Sequence, residues 1–216
     1  MASNEYDAKG EPGSFGGTTN PAPVVVGIGA SAGGVQALQS LFAALPNNTG
    51  AAFVVVVHLD PQSPSEMAKI LATRTSMPVK QVDQPERLQA DHVYVIPPDR
   101  RLSITNHEIA ASEFVEPRGQ RNAIDLFFRS LAEQHGDGCA VVLTGAGTDG
   151  AVGIRAVKEA GGIILVQDPN EAEYPSMPRN AIATGLNGCR GAGSTIQTTI
   201  STIPQRHALC GKARRV

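Results

Sequence analysis

The sequence predicts an α/β fold with a mostly parallel sheet, helices on both faces of the sheet and an antiparallel hairpin at its edge. Two observations support this prediction. Short runs of β-branched residues, typical of strands buried on both faces, alternate with segments of helical periodicity. Between Pro78 and Glu116 the pattern changes to short alternating pieces with a tight turn at Asn106-His107, which indicates antiparallel pairing.

The first half of the chain contains two strand-helix units. The run "PVVVGIG" predicts a buried strand, and Ser31 is the expected N-cap of the helix that follows it. The run "AAFVVVVHL" predicts a second buried strand, with a helix in "SPSEMAKILATRT". The pieces "HVYVIPP", "RRLSIT" and "HEIAAS" then form the expected antiparallel excursion.

The second half returns to the alternation of helix and strand. Apolar residues share one face in "AIDLFFRSLAEQHG", and Gly136 marks the end of this helix. The strand "CAVVLTG", the helix "DGAVGIRAVKEAGG" and the strand "IILVQD" follow, with a short helix around "PRNAIATG". Alternation of this kind favours parallel strands joined by helical crossovers.

The chain is expected to form one domain at residues 23–186, with a flexible leader at 1–22 and an atypical basic tail at 187–216. A length of 216 residues with 41% hydrophobic residues suffices for one sizeable core. The leader is rich in Gly, Pro, Ser, Thr and Asn, so it buries too little apolar surface to offset the entropy of ordering. The tail has five basic residues and no acidic one.

Composition excludes several classes of function. All 20 acidic residues but only 13 of the 18 basic residues precede Asn187, and such an acidic body argues against nucleic acid as a partner. Three cysteines without C-x-x-C spacing indicate a reducing compartment, for which the cytoplasm is the default. No apolar run approaches the ~20 residues of a membrane span, so we expect no membrane insertion.

Three side chains with catalytic potential follow predicted strands. Ser31 comes after the first strand, His58 ends the second, and Asp149 follows "CAVVLTG", so all three are expected at the carboxyl edge of the sheet. A serine nucleophile needs an imidazole to accept its proton and a carboxylate to orient that imidazole. Each residue alone is more often a helix cap or a satisfied buried group. Their joint placement predicts a nucleophile, a general base and an orienting carboxylate.

The glycines around Ser31 allow a second interpretation. Gly27, Gly29 and Ala32 fit the loose G-x-G-x-x-G/A fingerprint of a dinucleotide site, whereas residues 29–33 spell the G-x-S-x-G of a nucleophile elbow. A dinucleotide site also needs an acidic residue about 20 positions later, at the end of the second strand. That region is "LPNNTG", and Asp60 comes too late, so the pattern favours the nucleophile.

An acidic cluster and a pair of arginines could each form a binding site or only a solvent-exposed loop. Asp168, Glu171 and Glu173 could bind a cation, although no ligand spacing requires one and a solvated loop is favoured. Arg118 and Arg121 could bind a carboxylate or could only decorate a loop.

Six segments between Val24 and Leu186 follow one another in an order known from a protein family: "VVGIGASAGGVQAL", "FVVVVHLDP", "HVYVIPPDRRL", "IDLFFRSLAEQHG", "VVLTGAGTDGAVGIRAVKEAGG" and "VQDPNEAEYPSMPRNAIATG". On these segments, the chain resembles the catalytic domain of the chemotaxis receptor methylesterases, the CheB-type protein-glutamate methylesterases. The segments "PRGQR" and "FFRSLAEQHG" are most similar to the version of this domain that is fused to methyltransferase and sensor-kinase modules.

This resemblance implies a doubly wound fold and hydrolysis of γ-glutamyl methyl esters on receptor helices, with release of methanol and, in some members, glutamine deamidation. It implies Ser31 as nucleophile, His58 as base and Asp149 as orienting carboxylate, with no metal or organic cofactor. The implied partners are methylated receptor or sensor helices, together with a methyltransferase or a histidine kinase. The alternative is a catalytically weak or silent domain that binds receptor helices.

The chain departs from the family pattern at several positions. Ala32 stands where members often have Thr, Ala146 where they have Met, and Gln120 where stand-alone enzymes tend to have His. Backbone N–H groups of Ala32, Gly33 and Ala146 are the expected oxyanion donors, and the first two changes leave such groups in place. After Leu186 the sequence loses apolar periodicity, so we expect a shifted reading frame or truncation that leaves a final helix unbuilt and a sheet edge uncovered.

Overall fold

A computed structural model describes residues 22–58, 65–117, 119–186, 189–191 and 195–202 of the chain. The strands are β1 (Val24–Ala30), β2 (Ala51–Val57), β3 (Val79–Gln81), β4 (Glu86–Arg87), β5 (His92–Val95), β6 (Arg101–Thr105), β7 (Glu108–Ser112), β8 (Cys139–Val142), β9 (Ile163–Gln167) and β10 (Cys189–Gly191). The helices are α1 (Gly34–Ala44), α2 (Met67–Ala72), α3 (Ala123–Gln134), α4 (Gly153–Glu159) and α5 (Ser176–Ala183). Residues 195–202 are also helical.

The first strand of the chain lies in the middle of the main sheet, and later strands are added on both sides of it. Within the described residues it has seven strands in the order β10-β9-β8-β1-β2-β5-β3, and every neighbouring pair is parallel. The chain first builds the β2 side and then crosses back to build the β8 side. Between β1 and β8 the strand order therefore reverses, and open α/β sheets bind their ligands outside the carboxyl ends of strands at such a point.

Helices cover both faces of this sheet. On one face, Gly27 and Gly29 of β1 lie against side chains of α3. On the other face, Phe42 of α1 contacts Phe53 of β2 edge to face, with ring centroids 5.7 Å apart. Phe53 is in register with Val26, which points away from the face of Gly27 because successive residues of a strand alternate. The predicted α/β fold, doubly wound and mostly parallel, is confirmed.

Gly27 and Gly29 belong to the strand rather than to a phosphate-binding loop. A Cβ added at Gly27 would lie 2.8 Å from Phe127 Cε1, and one added at Gly29 would lie 2.5 Å from Ile124 Cγ2. Neither distance leaves room for a methyl group. The absence of these two side chains therefore lets α3 pack directly on the middle of the sheet, which accounts for both glycines without a ligand.

Gly29→Ala should destabilise the fold by about 1–3 kcal/mol, the usual cost of overpacking a core. Ile124 cannot easily move aside, because its β-branched side chain is stiff in a helix and is fully buried. Denaturant unfolding measures the change. Val115→Ala, at a side chain that is 83% exposed, is the control and should be nearly neutral. Unchanged stability of the Gly29 variant would show that α3 can shift freely.

The predicted hairpin is present but does not extend the main sheet. β6 and β7 pair in antiparallel register, and Asn106 and His107 between them have φ of 52° and 65°, the left-handed values that a tight hairpin turn requires. Together with β4 they form a separate sheet in the order β4-β7-β6. This sheet packs on α3, where the backbone N–H of Ile104 donates to Ser130 Oγ at 2.7 Å.

The segment before this hairpin was expected to be antiparallel as well, and that expectation is wrong. β5 and β3 pair in parallel with the main sheet. The reason is burial, because Val93, Tyr94 and Val95 are all buried, and a strand buried on both faces suits the interior of a parallel sheet.

The end of the described chain is folded. β10 extends the sheet by pairing with β9, and Ile196 and Ile200 of helical residues 195–202 are 2% and 0% exposed. This differs from the expectation of an unbuilt final helix and an uncovered edge. Residues 1–21 of the expected leader and residues 203–216 of the expected tail lie outside the described residues. Among the residues described, no helix is long and apolar enough to cross a membrane.

Candidate active site

The structure brings together the three side chains singled out in the sequence. Ser31 follows β1, His58 follows β2, and Asp149 lies in the loop after β8, so all three lie at the carboxyl edge, beside the reversal of strand order. Ser31 Oγ is 3.1 Å from His58 Nδ1. His58 Nε2 is 2.8 Å from Asp149 Oδ2. The alcohol, the imidazole and the carboxylate thus form one hydrogen-bonded chain.

The direction of this chain follows from the chemistry of its ends. A carboxylate only accepts hydrogen bonds, so the hydrogen of the neutral His58 ring lies on Nε2 and is donated to Asp149. Nδ1 then presents its lone pair to the hydroxyl of Ser31, which donates to it. The ring is used in the opposite sense to that of chymotrypsin, where Nε2 meets the serine and Nδ1 the aspartate. Nδ1 is therefore the ring atom that accepts the hydrogen bond of Ser31.

Asp149 is held by backbone groups as well as by His58. Its side chain is 5% exposed. Oδ2 also accepts from the N–H of Ile124 at 3.0 Å, and Oδ1 accepts from the N–H groups of Asp125 and Gly150, both at 2.8 Å. Ile124 and Asp125 belong to the first turn of α3, so Asp149 satisfies donors that a helix N-terminus leaves unpaired. Asp149 is both a helix cap and the partner of His58, and it caps α3 rather than the helix that follows it.

Asp125 makes the reciprocal contact, and the sequence interpretation did not single it out. Its buried carboxylate accepts from the N–H of Val152 at 3.0 Å and from the N–H of Gly153, which begins α4. Burial raises the pKa of Asp125, and the negative charge of Asp149 raises it further, whereas the N–H of Gly153 opposes the shift. No local sequence signal indicates this role, because the backbone groups from which Asp125 accepts lie 27 and 28 residues later in the chain.

Ser31 does not cap α1, in contrast to the expectation. The helix begins at Gly34, and its N-cap is Gly33 with a φ of 72° and no side-chain capping bond. Ser31 is instead held through its backbone, because its N–H donates to the carbonyl of Thr144 at 3.0 Å and its carbonyl accepts from Gly34 N–H at 2.8 Å. The hydroxyl is thereby left for His58.

The expected oxyanion donors lie around Ser31. In the part of the chain that the structure describes, the N–H groups of Ala32, Gly33 and Ala146 donate to no protein acceptor. The loop containing Ala146 lies against Ser31, since a Cβ added at Gly145 would lie 2.9 Å from Ser31 Cβ. Unpaired N–H groups beside a serine can receive a developing negative oxygen.

Gly33 leaves no room for a side chain, because Glu173 Oε2 lies 2.7 Å from where a Cβ would be. The left-handed φ of Gly33 is a further requirement for glycine. Within the described residues, no group of three or more His, Cys, Asp and Glu side chains is arranged as metal ligands.

A cavity of about 260 Å³ adjoins His58. Arg121 on its wall forms an ion pair with Asp99, lies 5.0 Å over the ring of Phe114 and donates to the carbonyl of Glu116 at 3.1 Å. These contacts favour a structural role for Arg121, one of the two interpretations of this position. Arg118 lies outside the described residues, and Gln120 is exposed.

Comparisons with known proteins identify the family of this chain. A family model described as CheB methylesterase matches residues 26–198. A Leptospira interrogans protein, named provisionally as a protein-glutamate methylesterase/protein-glutamine glutaminase, is 36% identical over 157 residues, which are 72% of this chain and 81% of that protein. Protein-glutamate methylesterase/protein-glutamine glutaminase 2 of Cupriavidus metallidurans is 35% identical over 202 residues, 91% of this chain and 57% of its own length.

A solved structure shows the same fold. The crystal structure of the Thermotoga maritima CheB methylesterase catalytic domain matches with a TM-score of 0.78 and 27% identity, and the match covers 84% of this chain and 98% of that one. The family model spans most of the polypeptide, including Ser31, His58 and Asp149. The chain belongs to the CheB methylesterase family.

Proposed function

We propose that this chain is a serine hydrolase that cleaves γ-glutamyl methyl esters on receptor or sensor proteins and releases methanol. The observation that supports this most strongly is the hydrogen-bonded chain from Ser31 through His58 to Asp149, at the point where the strand order reverses. Family membership and the names of the relatives agree with the chemistry that this arrangement can perform.

The first half of the reaction transfers the acyl group to the enzyme. Ser31 Oγ attacks the γ-carbonyl carbon while its proton passes to His58 Nδ1, and Asp149 stabilises the imidazolium that forms. The carbonyl oxygen becomes negative and is received by backbone N–H groups among Ala32, Gly33 and Ala146. The tetrahedral intermediate collapses when methoxide leaves, protonated by His58 to methanol.

The second half returns the enzyme to its starting state. A water molecule gives a proton to His58 Nδ1 and attacks the acyl carbon, and Ser31 departs with that proton. The product is a free γ-carboxylate. With a glutamine substrate the same steps expel ammonia in place of methanol, which gives the glutaminase activity.

An exposed site suits a substrate carried on a protein. His58 is 38% exposed, and Ala146 is exposed, so an ester that projects from a helix can reach Ser31 without entering a deep pocket. Methylated receptor or sensor helices are therefore the proposed substrates, and a methyltransferase that makes the ester is a proposed functional partner. The similarity of "PRGQR" and "FFRSLAEQHG" to the version fused to methyltransferase and sensor-kinase modules stays a prediction. We place the reaction in the cytoplasm, on the cysteine pattern.

A silent domain that binds receptor helices is the second candidate. The observation in its favour is the loss of the family's usual side chains at Ala32 and Ala146. Both positions retain an N–H group that donates to no acceptor among the residues that the structure describes, so the loss does not remove an oxyanion donor. The intact hydrogen-bonded chain favours the esterase.

Incubation of the protein with a methylated receptor fragment tests the proposal. We expect methanol in proportion to the loss of methyl ester, and no methanol from the unmethylated fragment. Gas chromatography measures methanol, and mass spectrometry of the fragment measures the mass change at the glutamate. Binding of the fragment without any release of methanol would establish the silent domain instead.

A further inference from the structure

We infer that Thr144 is a positioning residue for this reaction, because its buried hydroxyl joins the two loops that carry the candidate oxyanion donors. This inference rests on the proposed function, since it takes Ser31 as the nucleophile. Thr144 lies just beyond the carboxyl end of β8 and is 1% exposed. With so little of its surface exposed, Thr144 acts through the groups it holds and not by touching the substrate.

The hydroxyl of Thr144 makes contacts in two directions. Oγ1 accepts from the N–H of Tyr174 at 2.8 Å. It also lies 3.2 Å from the carbonyl oxygen of Ala32 and 3.3 Å from that of Tyr174. A hydroxyl has one proton to donate, so these two carbonyl oxygens share it. Ala32 comes directly after the nucleophile.

Each contact constrains one candidate donor. The carbonyl of Ala32 and the N–H of Gly33 belong to one planar peptide unit, so fixing the carbonyl sets the direction of the N–H. The carbonyl of Tyr174 also accepts from Gly145 N–H at 2.9 Å, which anchors the loop just before Ala146. One hydroxyl thus links the Ala32-Gly33 side of the site to the Ala146 side.

The backbone of Thr144 makes two further hydrogen bonds that do not depend on its side chain. Its carbonyl accepts from Ser31 N–H at 3.0 Å, and its N–H donates to Gln167 Oε1 at 2.8 Å. Substitution of the side chain leaves these backbone groups in place. The hydroxyl can therefore be removed while Ser31 keeps its own backbone anchor, which separates the placement of the donors from the placement of the nucleophile.

Thr144→Val removes the hydroxyl and keeps the branched shape. The Tyr174 N–H then has no acceptor and the Ala32 carbonyl no donor, so both loops can relax. Oxyanion donors contribute mainly in the transition state, so kcat should fall about 10- to 100-fold, less than the ~10²–10³ expected when a donor is removed outright. KM should change less than about 3-fold. Thr144→Ser keeps the hydroxyl and should restore kcat to within about 3-fold of the wild type.

Thr49 provides a matched control. It is also a buried threonine, 8% exposed, whose hydroxyl donates to Asp91 Oδ1 and accepts from Ala51 N–H, both at 3.2 Å. It lies before β2, at the opposite end of that strand from His58. Thr49→Val should lower the melting temperature as Thr144→Val does, but should leave kcat unchanged. Thr144→Ala, which also lacks the hydroxyl, replaces the valine variant if that protein does not fold.

The experiment measures kcat and KM for methanol release, together with the rate at which a fluorophosphonate labels Ser31. Phosphonylation builds a tetrahedral adduct on the serine without needing a methyl ester. We expect Thr144→Val to slow both reactions and the serine and Thr49 variants to slow neither. Equal rates for Thr144→Val and the wild type, or no rescue by serine, would overturn the inference. If the wild type releases no methanol, the proposed function fails, and the labelling rates alone decide the role of Thr144 by the same criteria.

Discussion

Ser31→Ala should lower the rate of methanol release by at least about 10⁴-fold, because the residual activity of serine hydrolases without their nucleophile comes only from substrate binding and the oxyanion donors. The protein should remain folded. Ser31 is held by backbone hydrogen bonds to Thr144 and Gly34, which alanine retains, and its hydroxyl contacts His58. Methanol release and the melting temperature of both proteins measure the two effects.

Ser112→Ala is the matched control for this variant. Ser112 is an exposed serine at the end of β7 whose Oγ accepts from Arg101 Nε at 3.1 Å, so it too loses a hydroxyl and one side-chain hydrogen bond. Its methanol release should equal that of the wild type. If Ser31→Ala kept more than about one part in a hundred of the wild-type rate, Ser31 would not be the nucleophile.

Asp149→Asn should lower kcat by about 10³- to 10⁴-fold, as the corresponding change does when it stabilises the wrong histidine tautomer. An asparagine can present its NH₂ group to His58 Nε2. The ring hydrogen then moves to Nδ1, the atom that faces Ser31, and Nδ1 can no longer accept the serine proton. Steady-state kinetics with the methylated receptor fragment measure this loss.

Asp125→Asn separates loss of the catalytic partner from loss of a buried cap. Asp125 is also a buried carboxylate that accepts two backbone N–H groups at a helix start, and its side chain has no hydrogen bond to His58. Asparagine keeps one acceptor oxygen for those groups, so kcat should fall less than about 10-fold. Equal losses in the Asp125 and Asp149 variants would mean that Asp149 acts only as a cap of α3.

Most of the fold could be predicted because the buried strands can be recognised from their own sequences. β1 and β2 are continuous β-branched runs, and the amphipathic period of α3 places Ile124, Phe127 and Phe128 on one face. The parallel pairing of the short strands β3 and β5 could not be predicted, because it depends on burial by distant segments. The start of α1 was also predicted wrongly because of a distant contact. Ser31 has a side chain that can cap a helix, but its hydroxyl contacts His58 instead.

The convergence of Ser31, His58 and Asp149 could be predicted because each follows a strand, and parallel strands bring their carboxyl ends to one edge. Asp125 and Thr144 could not, since their roles consist of contacts with backbone groups far along the chain. The glycines of β1 were also ambiguous. A glycine in this pattern can lie against a bound phosphate or against a packed helix, and the sequence alone does not say which. At Gly29 the neighbouring group is Ile124 of α3.

The proposed reaction requires that His58 hold its hydrogen on Nε2, where Asp149 accepts it, so that Nδ1 can accept the proton of Ser31. Nitrogen-15 NMR of the histidine rings measures which nitrogen carries the hydrogen, with the His58 signals assigned by their loss in a His58→Gln variant. We predict a protonated Nε2 and an unprotonated Nδ1 in the neutral ring, and the reverse in Asp149→Asn. A hydrogen on Nδ1 of the neutral wild-type ring would rule out this mechanism.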